Sequence, residues 1–298
     1  QTPSSTLVIA EVAHEAGLPA GALNVVPASP EVSRPLVTDE RFRMLTFTGS
    51  AAVGWELKRI AGRKRVALEL GGNAAVIVHH DADLQRAAER ITAGGYGYSG
   101  QSCISVQRVL VHRQVYDRFM AELVPRVKAL VVGDPEDEAT DVGPMISEAE
   151  AARAEGWIGE ACASGAKLVL GGGRDWAVLR PAILTGVAPT MRVSCQEIFA
   201  PVVAVTPYDT LDEAFAAVND SPYGLQAGFF TRDAPSIWRA FERLEVGGLM
   251  VDDVSTFRMD HMPYGGVKDS GSGREGVKYA IEEMTEIKVM SWHIKERS

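Results

Sequence analysis

Cysteine is an intrinsically strong nucleophile, and Cys103 stands in a setting unlike that of the other two cysteines. The stretch 94–105 reads GGYGYSGQSCIS and runs straight into the apolar, β-branched segment 106–111. A thiol on such a connection can be approached closely by backbone or substrate, because glycine places no Cβ in the way. A buried structural cysteine is the alternative, since free cysteine is among the most buried residue types. Glu69 is a second candidate, a lone carboxylate within the apolar run 66–70 that precedes Gly71, Gly72 and Asn73. Burial would raise its pKa toward the range useful to a general base; otherwise it points to solvent or to Arg65. A third candidate is the stretch TGSAAVG at 48–54, where Gly49 and Ser50 set free N–H groups and a hydroxyl at a helix N-terminus, a ready phosphate site. The alternative there is an ordinary serine N-cap, and the spacing is not the G-x-G-x-x-G of dinucleotide folds.

To bring these residues together the chain needs alternating strands and helices, and its apolar periodicity supplies them. From Ser5 the residues Leu7, Ile9, Ala10, Val12 and Ala13 keep helical spacing, with Gly17 as C-terminal cap. Residues 23–26 and 44–48 read as strands flanking a polar helical segment, with helix at 55–61. A strand at 74–78 and a helix at 83–93 lead to the Cys103 loop. Helices follow at 116–131, 148–164, 211–218, 235–244 and 276–284, with strands at 167–170, 202–205, 225–230 and 248–251. This alternation predicts βαβ units, a parallel sheet and an α/β fold. Residues 285–294 alternate polar and apolar, as an edge strand in need of a partner does.

Composition narrows the function. With 298 residues and 46% hydrophobic, the chain can bury a large core and exceeds a single folding unit. Thirty basic against 39 acidic residues give a net charge of −9 without long like-charge blocks, which argues against nucleic acid and membrane surfaces as partners. Cys103, Cys162 and Cys195 include no C-x-x-C pair, so neither a disulfide framework nor a cysteine-based zinc site is expected, and a reducing cytoplasm fits best. No apolar run has the length of a membrane span and no leader peptide is visible. The chain opens at Gln1 directly on a helical pattern, as if entered within a domain, and is expected to be a fragment.

Several stretches together resemble the aldehyde dehydrogenase superfamily. FTGSAAVG at 47–54, LELGGN at 68–73, GQSC at 100–103, GDP at 133–135, EIFAPV at 197–202 and PYGGVKDSG at 263–271 occur in the family's order and spacing. The 34 positions from Glu69 to Cys103 fit as well, and the resemblance covers residues 1–294.

The resemblance implies that Cys103 attacks an aldehyde carbon, forms a thiohemiacetal and is left as a thioester, while Glu69 activates the deacylating water. It implies NAD or NADP as cofactor, with no metal. Gly49, Ser50 and Val53 at the start of the following helix would face the pyrophosphate. Leu70 and Gly71 would face the carboxamide, Glu197 would hold the nicotinamide ribose, and Phe199 would pack against that end. Cys162 and Cys195 would be structural. The implied architecture is a partial Rossmann-like cofactor domain at 1–70, a catalytic α/β domain at 71–269, a return to the cofactor domain at 270–284 and an oligomerisation strand at 285–298, in a cytoplasmic homodimer or homotetramer.

Family members are usually longer at the N-terminal side, where they carry an oxyanion-hole asparagine, a lysine for the adenine ribose and the opening strands of the cofactor sheet. An inactive fragment that serves only as a folded or oligomerising module is therefore the alternative function. Pro27, Ala28 and Ser29 stand where many relatives have a glycine near the adenine, and Asp252 where asparagine is common. Arg258 and His261 fall near the expected substrate mouth, where they would favour an anionic or hydroxylated aldehyde unless their role is structural.

Overall fold

The apolar runs become a large and a smaller sheet, with two further two-stranded pairs beside them. In the computed structural model, which describes residues 2–293, α1 (Ser4–Glu15) and α2 (Pro30–Thr38) lead to the parallel pair β1 (Met44–Thr48) and β2 (Arg65–Glu69), connected by α3 (Ala51–Ile60). β3 (Ala74–Val78), α4 (Leu84–Tyr96), β4 (Val106–His112) and α5 (Tyr116–Lys128) come next. Then follow α6 (Glu148–Ala163), β5 (Lys167–Leu170), a small hairpin of β6 (Arg174–Asp175) and β7 (Val178–Leu179), and β8 (Ala182–Thr185). The rest is α7 (Arg192–Cys195), β9 (Val202–Tyr208), α8 (Leu211–Asn219), β10 (Tyr223–Gly224), β11 (Gln226–Phe230), α9 (Ala234–Arg243), β12 (Gly248–Val251), β13 (Val267–Lys268), β14 (Gly271–Ser272) and α10 (Val277–Met284).

The larger sheet has the order β12-β11-β3-β4-β9-β8-β5 and is parallel except for β5 at its edge. Its interior strand β3 is buried along its whole length. Val76 and Val78 pack with Ile91, Phe119 and Leu123 on one side, while Ala75 and Ile77 pack with Phe215, Phe229 and Ala240 on the other. Helices on both faces explain why this segment is continuously apolar instead of alternating. The side chains of Asp83 and Thr210 cap α4 and α8, the latter in a reciprocal capping box with Glu213.

The smaller sheet has the order β1-β2-β14, with β14 antiparallel to β2 and Gly271 opposite Glu69. Residues 70–73 carry the chain from β2 in this sheet to β3 in the larger one.

Two sequence expectations differ from the structure. Residues 23–26 form no strand. Among the described residues no neighbouring strand meets them, and Val26 is 77% exposed; an extended run gains nothing without a ladder partner. Residues 285–293 likewise form no strand in this single chain, and 294–298 of the expected oligomerisation strand lie outside the described residues. The helix at 116–131 stops at Lys128, and the one at 83–93 continues to Tyr96. No helix among the described residues is long and apolar enough to cross a membrane.

Ile77 is fully buried at the centre of the larger sheet. Ile77→Ala should lower the unfolding free energy by about 2–5 kcal/mol, measured by urea denaturation.

Candidate active site

The loop that presents Cys103 is bent sharply and tied down. After α4 the chain passes through Tyr98, Ser99 and Gly100 with φ of 52°, 55° and 68°, three successive left-handed positions of which only glycine adopts the conformation freely. A Cβ on Gly100 would strike the Ala200 carbonyl, so the loop lies directly on residues 200–201. Ser99 Oγ donates to the Gly143 carbonyl at 2.8 Å, the Ile146 amide donates to Gln101 Oε1 at 2.9 Å, and Ser255 Oγ donates to the Ile104 carbonyl at 2.7 Å. Side-chain bonds to two distant segments, 143–146 and Ser255, thus fix the turn.

Cys103 is half-buried against Ile104, Leu225 and Tyr264. Its Sγ lies 2.9 Å from the Tyr264 hydroxyl. Burial pushes the thiol pKa up, the Tyr264 hydrogen bond pulls it back, and the carboxylates of Glu197 and Glu69 push it up again. Arg258 stacks on the Tyr264 ring with its guanidinium carbon 4.0 Å from the centroid, and pairs with Glu275 at 2.7 Å.

Glu69 is the last residue of β2 and is 8% exposed. Arg65, the partner that the sequence offered it, turns away to Glu286 and to the Glu283 and Thr285 carbonyls. Glu69 Oε2 is buried and finds no hydrogen-bond donor. Desolvation and the nearby Glu275 raise its pKa to about 8, against the opposing charges of Arg274 and Arg258. The carboxyl is therefore held mostly protonated at neutral pH and releases its proton in mildly alkaline solution.

Beyond Glu69, Gly71 and Gly72 permit two close approaches. A Cβ on Gly71 would collide with the Glu197 carboxylate, and one on Gly72 with the Cys103 carbonyl. The Gly72 amide donates to Glu197 Oε1 at 2.9 Å. Burial raises the Glu197 pKa to about 7, moderated by that amide and by the charge of Arg153.

At the other end, Ser50 is the N-cap of α3, yet its hydroxyl makes no bond to its own helix. The capping alternative raised by the sequence is not used, and the hydroxyl and first N–H groups of α3 remain available to an anion. A cavity of about 470 Å³ joins this turn to Cys103; Gly49, Ser50, Glu69, Leu70, Gly71, Glu197 and Phe199 also line it. Val53 does not. It is 47% exposed, because α3 turns Gly54 inward against Leu70 and carries the preceding residue round to solvent. An anion-ready turn at one end and a half-buried carboxylate able to accept from sugar hydroxyls at the other suit a dinucleotide.

Three polar residues hold the site without having been singled out in the sequence. Gln107 donates to the Gly72 carbonyl at 3.3 Å and accepts from the Ile198 amide at 3.1 Å, so it links the loops of Glu69 and Glu197. Arg108, also buried, donates to the carbonyls of Asn73, Ala217 and Val218. Ser270 donates to the Gly71 carbonyl at 2.7 Å and accepts from the Gly224 amide at 3.0 Å. The available signal was two adjacent polar residues inside the apolar run 106–111, which a buried strand carries only with partners. Cys162, in the last turn of α6, packs against the core, and Cys195 Sγ lies 3.7 Å from the Thr190 carbonyl; neither lines the cavity.

Tyr264→Phe removes the hydroxyl that favours the thiolate, so Cys103 should be alkylated about tenfold more slowly at neutral pH, read by iodoacetamide labelling and mass spectrometry. Glu69 keeps its proton in the folded chain up to about pH 8 but loses it near its ordinary value when unfolded. Between those values the native state binds the extra proton, and stability falls as pH rises. Glu197 adds a decline of the same sign that ends near pH 7. In Glu69→Gln the loss of unfolding free energy from about pH 5 to about pH 8 should be shallower than in the parent; equal slopes in urea titrations would contradict this.

Residues 1–290 match the model of the aldehyde dehydrogenase family. The chain is 51% identical over 290 residues to a 3-sulfolactaldehyde dehydrogenase of Priestia megaterium, covering 97% of this chain and 61% of that protein. It superposes with a TM-score of 0.93 on aldehyde dehydrogenase 21 of Physcomitrella patens in complex with the reaction product succinate, at 44% identity, covering 96% of this chain and 60% of that one. The TM-score is also 0.93 for glyceraldehyde-3-phosphate dehydrogenase GapN of Methanocaldococcus jannaschii complexed with NADP, at 41% identity and coverages of 96% and 63%. The chain thus spans about three-fifths of the length of these relatives. The family match over nearly all of its residues, on a fold that gathers Cys103, Glu69 and Glu197 around one cavity, makes this chain a member of the aldehyde dehydrogenase family.

Proposed function

We propose that this chain carries the nucleophile, the general base and much of the cofactor pocket of an NAD(P)-dependent aldehyde dehydrogenase that oxidises a small anionic aldehyde to its acid. The observation that carries the reading is the single cavity lined by Cys103, Glu69, Glu197 and the Ser50 turn. When bound, the nicotinamide supplies the hydride acceptor. Ser50, Gly49 and the start of α3 would hold its pyrophosphate, Glu197 the adjoining ribose, and Leu70, Gly71 and Phe199 the nicotinamide end.

Cys103 Sγ, helped by the Tyr264 hydroxyl 2.9 Å away, attacks the aldehyde carbon to give a thiohemiacetal. Oxidation leaves a thioester on the same sulfur. Glu69, whose pKa of about 8 suits proton exchange with water, takes a proton from the water that releases the acid. Its uncommitted Oε2 is the oxygen free to do so.

The anionic preference is supported by Arg258, which lies one side chain from the nucleophile through Tyr264. Glu275 uses part of its guanidinium, but five N–H donors leave room for a carboxylate, sulfonate or phosphate. The three relatives named above act on, or hold the product of, aldehydes that bear such a group. Three free thiols among the described residues fit a cytoplasmic setting, and a homodimer or homotetramer is the assembly we infer.

A second reading is an inactive folded or oligomerising module. The coverage of about three-fifths of each relative favours keeping it, as do α1 and α10, which bury none of their residues. The deciding assay follows NAD(P)H absorbance with succinate semialdehyde, 3-sulfolactaldehyde and a neutral hydroxyaldehyde, for this chain and for one extended to the relatives' length. In the active form Cys103→Ser should reduce turnover by more than about 10³-fold, and Arg258→Met should raise KM for the anionic substrates about 10- to 100-fold with little effect on the neutral one. Ester cleavage with no NAD(P)-dependent absorbance change for any of the aldehydes, or unchanged turnover in Cys103→Ser, would overturn the assignment.

A further inference from the structure

The strands that deliver the active-site loops at their amino ends carry a second cluster of reactive side chains at their carboxyl ends. Asn73 and the Cys103 loop precede β3 and β4, and the same two strands run out into His79 and His112. Val78 pairs with Val111 and His112 with Tyr208, so His79, His112 and Tyr208 share one level across β3, β4 and β9. His80 follows into the turn. The ring centroids of His79 and His80 are 4.2 Å apart, those of His79 and His112 5.2 Å, and those of His80 and His112 5.3 Å. One ligating nitrogen from each lies within 4.8 Å of the other two. The cysteine spacing that argued against a zinc site has no bearing on these residues.

We propose that His79, His80 and His112 form a site for a divalent transition-metal ion of the zinc, nickel or copper type, separate from the active site. The donors are three imidazoles, the ligand type that these metals favour over magnesium or calcium. The nearby carboxylates are engaged elsewhere: Asp81 accepts from Thr231 Oγ1 and the Arg232 amide, and Asp209 pairs with Arg113. His79 Nδ1 lies 2.8 Å from the Tyr208 hydroxyl. That contact is the outer hydrogen bond that orients a ligating histidine and leaves Nε2 to face the metal. His79 is buried and held, whereas His80 is exposed and His112 half-buried, so these two can swing inward. They must, because nitrogens bound tetrahedrally at about 2.0–2.1 Å from zinc sit roughly 3.4 Å apart. His112 Nδ1 accepts from the Gln114 amide at 3.3 Å; ligation through Nε2 would exchange this long, exposed contact for a metal bond. The crevice beyond the carboxyl ends of parallel strands is also where open α/β sheets take ligands. The five residues of β3 put about 17 Å of strand between this cluster and the active-site loops.

The test is zinc binding by titration calorimetry and thermal unfolding in the Cys103→Ala protein, which lacks the active-site thiol as a competing ligand. One equivalent should bind and raise the melting temperature. His80→Ala and His112→Ala should each weaken binding at least about tenfold, and the exposed His80→Ala should leave the melting temperature in metal-free buffer unchanged. The cobalt-substituted protein should show a nitrogen-ligated visible spectrum with no thiolate charge transfer. His80 is exposed, so its variant keeps the test open even if His112→Ala folds poorly. Absence of binding in Cys103→Ala, or equal affinity in both histidine variants, would overturn the site.

Discussion

The close approach at Gly71 and Gly72 is the constraint on which the rest of the site depends. Here the chain leaves the small sheet for the large one, and three other segments press on two residues that have no side chains. Glu197 takes the Gly72 amide, Ser270 takes the Gly71 carbonyl, and the Cys103 carbonyl lies where a Gly72 Cβ would be. A larger residue at Gly71 would displace the Glu197 carboxylate, and one at Gly72 the Cys103 backbone. Interiors are packed too densely to absorb such a shift locally, so one crossing sets the positions of groups far apart in sequence.

That crossing also creates the electrostatics. By bringing Glu69 and Glu197 out of water it raises both carboxyls, to about 8 and about 7, because burial penalises the charged form more than the available partners repay. Groups that would be inert carboxylates on the surface become able to exchange protons near neutral pH. The cost is an unsatisfied buried oxygen on Glu69, and polar supports such as Gln107 and Arg108 keep the neighbouring backbone satisfied. A site of this kind trades local stability for reactivity.

The fold was legible where a local pattern had one physical meaning. Strands such as β3 and β11 are continuously apolar because both of their faces are covered, and helices such as α6 carry caps at the expected ends. Residues 23–26 show the limit: their composition suits a strand, but a strand exists only with a neighbour. Which side of α3 faces inward was likewise decided only in three dimensions, by Gly54 meeting Leu70. The histidine cluster was equally hidden, because His79 and His112 are separated by a helix and a loop and meet only through strand register.

The order of residues by itself determined the chemical inventory: a thiol in a glycine loop, a carboxylate in an apolar run, a serine at a strand-to-helix turn, and a motif order that resembles one family. These are properties of residue type and near neighbours, and they survive in a linear reading. Only the tertiary structure decided that Glu69 turns from Arg65 into a cavity, that Tyr264 meets a sulfur 161 positions away, and that Ser50 leaves its hydroxyl uncommitted. Burial, proton affinity and hydrogen-bond partnership depend on segments far apart in the chain, and they take a value only once packing has chosen which of those segments touch.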